Sequence, residues 1–191
     1  MGSWVLFLLG GAAVIIVVYN RIAALSHRRR NAFADIDVQL EQRYNTIPNM
    51  VEVVKAYAGH EHKVFKEIAE ARAATKDAFG VGEKRFKAEA VLGQALNHLY
   101  AVAENYPELK ANENFMMLQQ ELSDLENKIS AARRFFNSAT AEYNTAIEQF
   151  PGNIMARMFG YFEEPYFRTD GDKEEEIKAI PEVKMAPVEK K

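Results

Sequence analysis

The sequence predicts an all-α protein: a single N-terminal transmembrane helix followed by an elongated antiparallel helical bundle with long coiled-coil-type helices. Three observations predict this class. An uncharged apolar run opens the chain, apolar residues then recur at steps of three and four, and proline and glycine are scarce between residues 83 and 150. We divide the chain into a transmembrane anchor (1–25), a helical bundle (26–160) and a charged, largely disordered tail (161–191).

The composition excludes several kinds of protein. Without cysteine, the chain can have no disulfide framework, zinc–thiolate site or thiol nucleophile. Its net charge of −3 argues against a nucleic-acid partner. None of the four histidines has the glutamate three residues earlier that di-iron bundles use, and no phosphate-binding loop is present. We therefore predict no metal, no cofactor and no enzymatic activity.

The first element is a membrane anchor. The stretch from Ser3 to Asn20 has no charged side chain, and roughly 20 apolar residues cross about 30 Å of hydrocarbon. Trp4 and Tyr19 bracket the apolar run, as aromatic residues at a membrane interface do. Arg21 follows it and can extend its charge to the lipid headgroups.

The basic residues after this run set the predicted topology. A cleaved signal peptide would carry its positive charge before the apolar run, whereas Arg21, Arg28, Arg29 and Arg30 come after it. We therefore favour an uncleaved anchor. Because basic segments stay in the cytoplasm, we expect a single-pass protein of the inner (cytoplasmic) membrane, with its N-terminus outside and its helical domain inside. The lipid bilayer is then its first partner.

The next element is an apolar pattern that crosses Pro48. Its members are Phe33, Ile36, Leu40, Tyr44, Ile47, Val51, Val54, Ala58, Phe65 and Ile68. Because the pattern leaves no gap at Pro48 for a hairpin loop, we favour one helix with a structural kink at this proline. The alternative makes Thr46 the N-cap of a new helix, with Pro48 in its first turn.

Two further helices are predicted after a turn at residues 79–83. The first covers about Gly82 to Tyr106, and the second runs from Asn112 to Phe150. The second has the clearest seam, with apolar residues at steps of three and four over five heptads. The members of this seam are Phe115, Leu118, Leu122, Leu125, Ile129, Ala132, Phe136, Ala139, Tyr143, Ala146 and Phe150. Asn112 or Asn114 is expected to cap the start of the helix.

Five charged residues lie on or beside these seams, namely Arg43, Glu61, Arg72, Glu126 and Arg133. One interpretation is a polar site, with a pocket where Arg43, Glu61, Glu126 and Arg133 converge, as an enzyme would need. The interpretation that we favour is a buried or half-buried ion-pair layer that fixes the register of the helices. Asn137 and Asn144, which are one heptad apart beside the second seam, extend the same polar stripe.

Several stretches between residues 30 and 185 form a set of motifs. They are "RNAFADIDVQLEQRYNTIPNMVEVVKAYAGHE", "ARAAT", "AENYPELKANENFMMLQQEL", "ENKISAARRFFNSATAEYNTAIEQFP", "PYF" and "IPEVKM". This set resembles the LemA family of bacterial membrane proteins, although typical members have leucine in place of Thr46 and tyrosine in place of Phe136. The resemblance implies a single-span anchor with the helical domain on the inner side. It implies no known reaction and no catalytic residue.

These observations leave three classes of function. We favour a membrane-anchored structural or scaffold protein of the LemA type, which self-associates or binds partners through its helix faces. The first alternative is an adaptor or regulator of an integral membrane enzyme such as a membrane protease, and it predicts one discrete exposed apolar patch on the bundle. The second alternative is an enzyme with an unrecognised polar site, which predicts the convergent pocket described above.

Overall fold

The computed structural model describes residues 2–78, 80 and 82–167, with side chains from Leu8 onward. Six helices form this part of the chain: α1 (Gly2–Tyr57), α2 (His62–Asp77), α3 (Glu83–Ala103), α4 (Pro107–Lys110), α5 (Glu113–Glu148) and α6 (Gly152–Phe159). The described residues contain no strand. The predicted all-α class is therefore confirmed.

Helix α1 runs through Pro48 without interruption. Thr46 does not cap a new helix there, because its hydroxyl donates a hydrogen bond to the Glu121 carboxylate of α5 at 3.2 Å. A single helix across this proline is thus what the structure contains. The bend that we expect at Pro48 stays a prediction.

The chain reverses direction after α1, at residues 58–61. The expectation that one helix carries the apolar pattern from Phe33 to Ile68 was therefore wrong. The Arg72 guanidinium of α2 lies 4.2 Å from the ring centre of Tyr44, and Lys55 lies 5.3 Å from that of Phe65, so α1 and α2 are antiparallel. Periodicity missed this turn because Ala58 at its start and Phe65 after it are both buried in the same core.

The other long helices continue the up-and-down arrangement. Glu67 of α2 contacts His98 of α3 at 2.8 Å, and Arg28 of α1 pairs with Glu142 of α5 at 2.6 Å. The short helix α4 makes the turn between α3 and α5. Antiparallel neighbours joined by short connections are typical of helical bundles. The predicted elongated antiparallel bundle is therefore confirmed.

Helix α5 follows the predicted seam over most of its length. Asn112 caps it, because its side-chain oxygen accepts a hydrogen bond from the Phe115 amide at 3.0 Å. At the other end the prediction was wrong, since Phe150 is 80% exposed and Ile147 is buried instead. A straight helix has 3.6 residues per turn, so a strict seven-residue repeat drifts around its surface by about 20° per heptad.

The core consists of three clusters along the bundle. The distal cluster joins α1, α2, α3 and α5 around Met50, Leu92, Leu99 and Leu122. The middle cluster contains Phe33, Phe86, Phe136 and Phe167. The proximal cluster, next to the apolar start of α1, contains Ile22, Tyr143, Ile147, Met155 and Ala156. Because Ile22 is only 1% exposed, bundle packing begins inside the predicted anchor rather than after residue 25.

Residues 161–167 form an extended segment against α5, which we call the strap. Phe167 is 1% exposed, and its ring stacks on Phe86 with 4.1 Å between ring centres. The predicted disordered tail was therefore wrong in its first seven residues. Its remainder, residues 168–191, lies outside the described part of the chain.

Candidate functional site

Three helices meet at one buried arginine in the middle of the bundle. Arg43 of α1 is 3% exposed, and it forms ion pairs with Glu89 of α3 and Glu126 of α5. Glu89 is itself buried, whereas the Glu126 side chain is half exposed. The planar guanidinium group can bond two carboxylates in different directions, which a lysine ammonium does with less geometric control.

Arg85 extends this contact to a fourth helix. Its guanidinium lies 3.0 Å from the second carboxylate oxygen of Glu89 and 3.3 Å from the Asp37 carboxylate of α1. It also donates a hydrogen bond to the Thr75 carbonyl at the end of α2, at 2.9 Å. We call the five charged residues Asp37, Arg43, Arg85, Glu89 and Glu126 the ionic layer.

The ionic layer links α1, α3 and α5 at one level of the bundle. Moving a charge out of water costs several kcal/mol, and only well-placed partners offset that cost. Sliding α3 along α1 by one turn, about 5.4 Å, would separate Glu89 from Arg43 and leave both charges buried without each other. We therefore expect the layer to disfavour other registers.

The structure places only part of the predicted polar layer here. Arg43 and Glu126 belong to the ionic layer, and Arg133 lies beside it with its guanidinium 4.8 Å from the ring centre of Phe167. Glu61 and Arg72 were predicted in the same layer, and that prediction was wrong. Because the chain reverses direction at residues 58–61, both residues make other contacts.

Glu61 lies at the start of α2 and accepts a hydrogen bond from the Tyr106 hydroxyl at 3.4 Å. Arg72 covers the Tyr44 ring and donates a hydrogen bond to the Tyr44 carbonyl at 3.3 Å. These two residues hold α2 against its neighbours at separate points. The four-residue pocket expected for an enzyme is therefore not assembled, because Glu61 is far along the bundle from Arg43.

Sequence reasoning missed Asp37, Arg85 and Glu89. Glu89 lies three residues before Leu92 and three after Phe86, so it shares their face of α3. Glutamate is almost never fully buried unless it is paired, and a lone sequence does not show the partner. The available signal was the position of Glu89 between two core residues.

An open cleft of about 300 Å³ lies beside the ionic layer, between α3 and α5. It is lined by Gly93, Gln94, Asn97, Glu126 and Arg133, among others. Burial raises the pKa of the nearby Tyr100 hydroxyl to about 12, and the negative charge of Glu126 adds to this effect. No three histidine or carboxylate side chains within the described ranges are close enough to hold a metal ion.

The strap is held by two asparagines of α5. Asn144 donates a hydrogen bond to the Glu164 carbonyl at 2.9 Å and accepts one from the Glu164 amide at 3.0 Å. Asn137 makes the same pair of bonds with Phe167, at 3.0 and 2.8 Å. One heptad of helix and three residues of extended chain both span roughly 10 Å. The distance between Asn137 and Asn144 along α5 therefore matches the distance between Phe167 and Glu164 along the strap.

Arg29 joins the strap from the opposite side. It is 5% exposed, donates hydrogen bonds to the Thr140 hydroxyl at 3.1 Å and the Pro165 carbonyl at 3.3 Å, and pairs with Glu164 at 3.2 Å. Burial lowers the pKa of Arg29, and the nearby Glu164 carboxylate opposes this change. Arg29, one of the basic residues that follow the apolar run, therefore holds the strap.

The other predicted anchor and topology residues are placed differently. Arg21, Arg28 and Arg30 are exposed at the end of the apolar run. The Tyr19 ring packs on Phe159 of α6, with 4.7 Å between ring centres. The side chain of Trp4 lies outside the described residues. Helix α1 is the one helix in the described part that is long and apolar enough to cross a membrane.

Comparison with known proteins identifies relatives of the chain. It is 23% identical to the magnetosome protein MamQ of Magnetospirillum gryphiswaldense over 188 residues, which cover 85% of this chain and 69% of that protein. It is also 23% identical over 181 residues to the magnetosome proteins MamQ 1 and MamQ 2 of Paramagnetospirillum magneticum, covering 82% of this chain and 66% of each relative. The chain thus spans about two thirds of the length of these relatives.

A family model matches a longer continuous stretch than any single motif. The match covers residues 32–184, from the bundle half of α1 through the strap and beyond it. It includes the ionic layer and both asparagines that hold the strap. Together with the candidate membrane span in α1, this match supports membrane association. The chain belongs to the LemA family.

Proposed function

We propose that this protein is a membrane-anchored scaffold that works by self-association or by binding partners through its helix faces. In this proposal α1 crosses the inner membrane, and the bundle lies in the cytoplasm. The role is structural and requires neither catalysis nor a cofactor. A membrane-protein partner is compatible with it, and a nucleic-acid partner is not expected.

The observation that carries the proposal is the continuity of α1. One helix runs from the candidate span at Gly2 to the far end of the bundle at Tyr57. Helices α5 and α6 both pack along it. Because no loop separates the apolar run from the bundle, the bundle is rigidly joined to the span in this proposal. A rigid connection of this kind suits a protein that positions partners relative to a membrane.

The exposed basic residues support the proposed orientation. Arg21, Arg28 and Arg30 follow the apolar run and are exposed. Basic residues close to a span remain on the cytoplasmic side. They can also contact anionic lipid, which contributes about 1 kcal/mol for each such residue near the surface.

The pairing within the ionic layer supports a structural role. Arg43 and Glu89 lie in the middle of the bundle and face each other. The catalytic alternative needs a pocket in which such groups face a substrate instead. In this proposal the buried pair specifies how the helices associate.

The adaptor alternative has one observation in its favour. It requires a discrete exposed apolar patch, and α6 with its flanking residues provides one where the bundle meets the span, including Phe150, Met158 and Phe162. This position fits either lipid or an integral membrane protein.

Self-association can be tested on the full chain. Two copies with different affinity tags are expressed together, solubilised from membranes in mild detergent, and purified through one tag. We expect the second copy to be recovered, and light scattering to give a mass above that of one chain with its micelle. Copies mixed only after solubilisation are the control for exchange. Purely monomeric chain with no co-purified membrane protein would contradict the scaffold proposal.

A further inference from the structure

Helix α6 exposes an apolar face where the bundle meets the candidate span. The exposed fractions are 80% for Phe150, 76% for Phe162, 66% for Met158, 50% for Phe159 and 48% for Ile154. We call these five residues the α6 face. A helix end that faced water would carry polar side chains at such positions, and contiguous apolar patches mark sites of protein or membrane contact.

The position of α6 along α1 coincides with the end of the apolar run. The uncharged stretch from Ser3 to Asn20 is about 27 Å long as a helix, close to the roughly 30 Å thickness of the hydrocarbon core. Helix α6 meets α1 at this end, because Phe159 packs on Tyr19 and Met155 packs with Ile22. The α6 face is therefore at the depth where hydrocarbon gives way to headgroups.

The orientation of α6 is fixed by its packing on α5. A Cβ atom added to Gly152 would lie 1.9 Å from the Ala146 carbonyl oxygen, so only glycine allows this close approach. At the other end, Gly160 adopts a left-handed conformation with φ of 73°, and the Tyr161 amide donates a hydrogen bond to the Ala156 carbonyl at 2.9 Å. With Met155 and Ala156 turned inward, Ile154 and Met158 face away from the bundle.

We propose that the α6 face lies in the interfacial region of the same bilayer that α1 spans, as a second membrane contact. The inference rests on the proposed anchoring by α1. Lipid fits better than a soluble partner because Phe159 of the patch packs on Tyr19, at the end of the apolar run in which Val14 and Val17 are exposed. Arg157, the exposed charged residue of α6, can extend its guanidinium to the headgroups while its aliphatic part stays with the apolar residues.

The absence of cysteine allows a direct depth measurement on the full chain. A spin label is attached to Met158→Cys, and the protein is reconstituted at several protein-to-lipid ratios into vesicles with equal amounts of phosphatidylcholine and phosphatidylglycerol. Collision with oxygen, which concentrates in hydrocarbon, is compared with collision with a water-soluble nickel complex. Phe162→Cys provides a second position on the same face, and circular dichroism verifies that each variant is folded.

Two matched labels separate this inference from the anchoring proposal. Val14→Cys reports the span, and Met117→Cys reports an exposed methionine of α5 at the distal end of the bundle. We expect the labels at residues 158 and 162 to favour oxygen several-fold over the label at residue 117, and to lie shallower than the label at residue 14. This result should not depend on the protein-to-lipid ratio.

Two results would overturn the inference. If the label at residue 14 is immersed while those at residues 158 and 162 resemble that at residue 117, anchoring stands and the α6 face does not contact lipid. If protection at residue 158 appears only at high protein density, a second copy covers the face instead. A label at residue 14 that is exposed to water would overturn the anchoring proposal and this inference together.

Discussion

Glu89 holds two cations at once, Arg43 through one carboxylate oxygen and Arg85 through the other. We expect Glu89→Ala to lower the free energy of unfolding by about 3–5 kcal/mol, the usual cost of removing one partner of a buried ion pair, because Arg43 and Arg85 then keep only the solvent-exposed partners Glu126 and Asp37. Denaturation of the full chain in nonionic detergent, followed by circular dichroism, measures the change.

Glu126→Ala is the matched control for this prediction. Its carboxylate contacts the same Arg43, but its side chain is 47% exposed. Water can replace an exposed partner, so we expect a loss of no more than about 1 kcal/mol. Equal losses for the two variants would mean that burial of Glu89 does not determine its contribution.

The sequence predicted single residues of the site better than their pairing. Arg43 and Glu126 stood beside apolar seams and do meet in the bundle. Arg72 also lay on an apolar seam and was predicted in the same layer, yet it contacts Tyr44 instead. A seam shows which face of a helix is buried, whereas the partner depends on how far neighbouring helices are shifted along each other. That shift depends on the turn at residues 58–61, which periodicity did not reveal.

At the level of elements, the strap is the part that depends most on a few hydrogen bonds. In Asn144→Ala, both bonds to the Glu164 backbone disappear. Each such bond contributes about 1 kcal/mol, so hydrogen exchange at the Glu164 amide should become about tenfold faster or more. Exchange is followed by NMR or mass spectrometry on the full chain in detergent.

Asn114→Ala provides the comparison for the strap, because Asn114 is an exposed residue of the same helix. We expect it to leave exchange at Glu164 unchanged. If Asn144→Ala also leaves that exchange unchanged, packing of Phe167 on Phe86 would hold the strap without help from the asparagine.

Helices were easier to predict than the strap for a physical reason. The long seam of α5 repeats many times, so one irregular position does not hide it. Pro48 was correctly taken as part of one helix because the apolar pattern crossed it. The strap has no period, and its contacts are backbone hydrogen bonds to side chains more than 19 residues away. Its signal was the "PYF" motif, which the charged composition of the tail obscured.

At the scale of the whole molecule, the orientation in the membrane is the main prediction. We expect protease added to intact spheroplasts to leave the bundle undigested, because basic residues that follow a span favour the cytoplasmic side. Permeabilised spheroplasts are the control, in which the same protease should reach the bundle. Digestion in the intact spheroplasts would reverse the proposed topology.

The pairing of α1 with α5 has a consequence for biosynthesis. Arg28 and Glu142 are 114 residues apart in the chain, and Arg43 and Glu126 are 83 apart. At about 5–20 residues per second, a ribosome needs roughly 5–20 s to make the intervening chain. During that interval α5 has not yet been made and does not cover the apolar stripe of α1 around Ile36 and Leu40. If α1 is anchored as proposed, the nascent protein therefore passes through an early stage in which this stripe is uncovered next to the membrane.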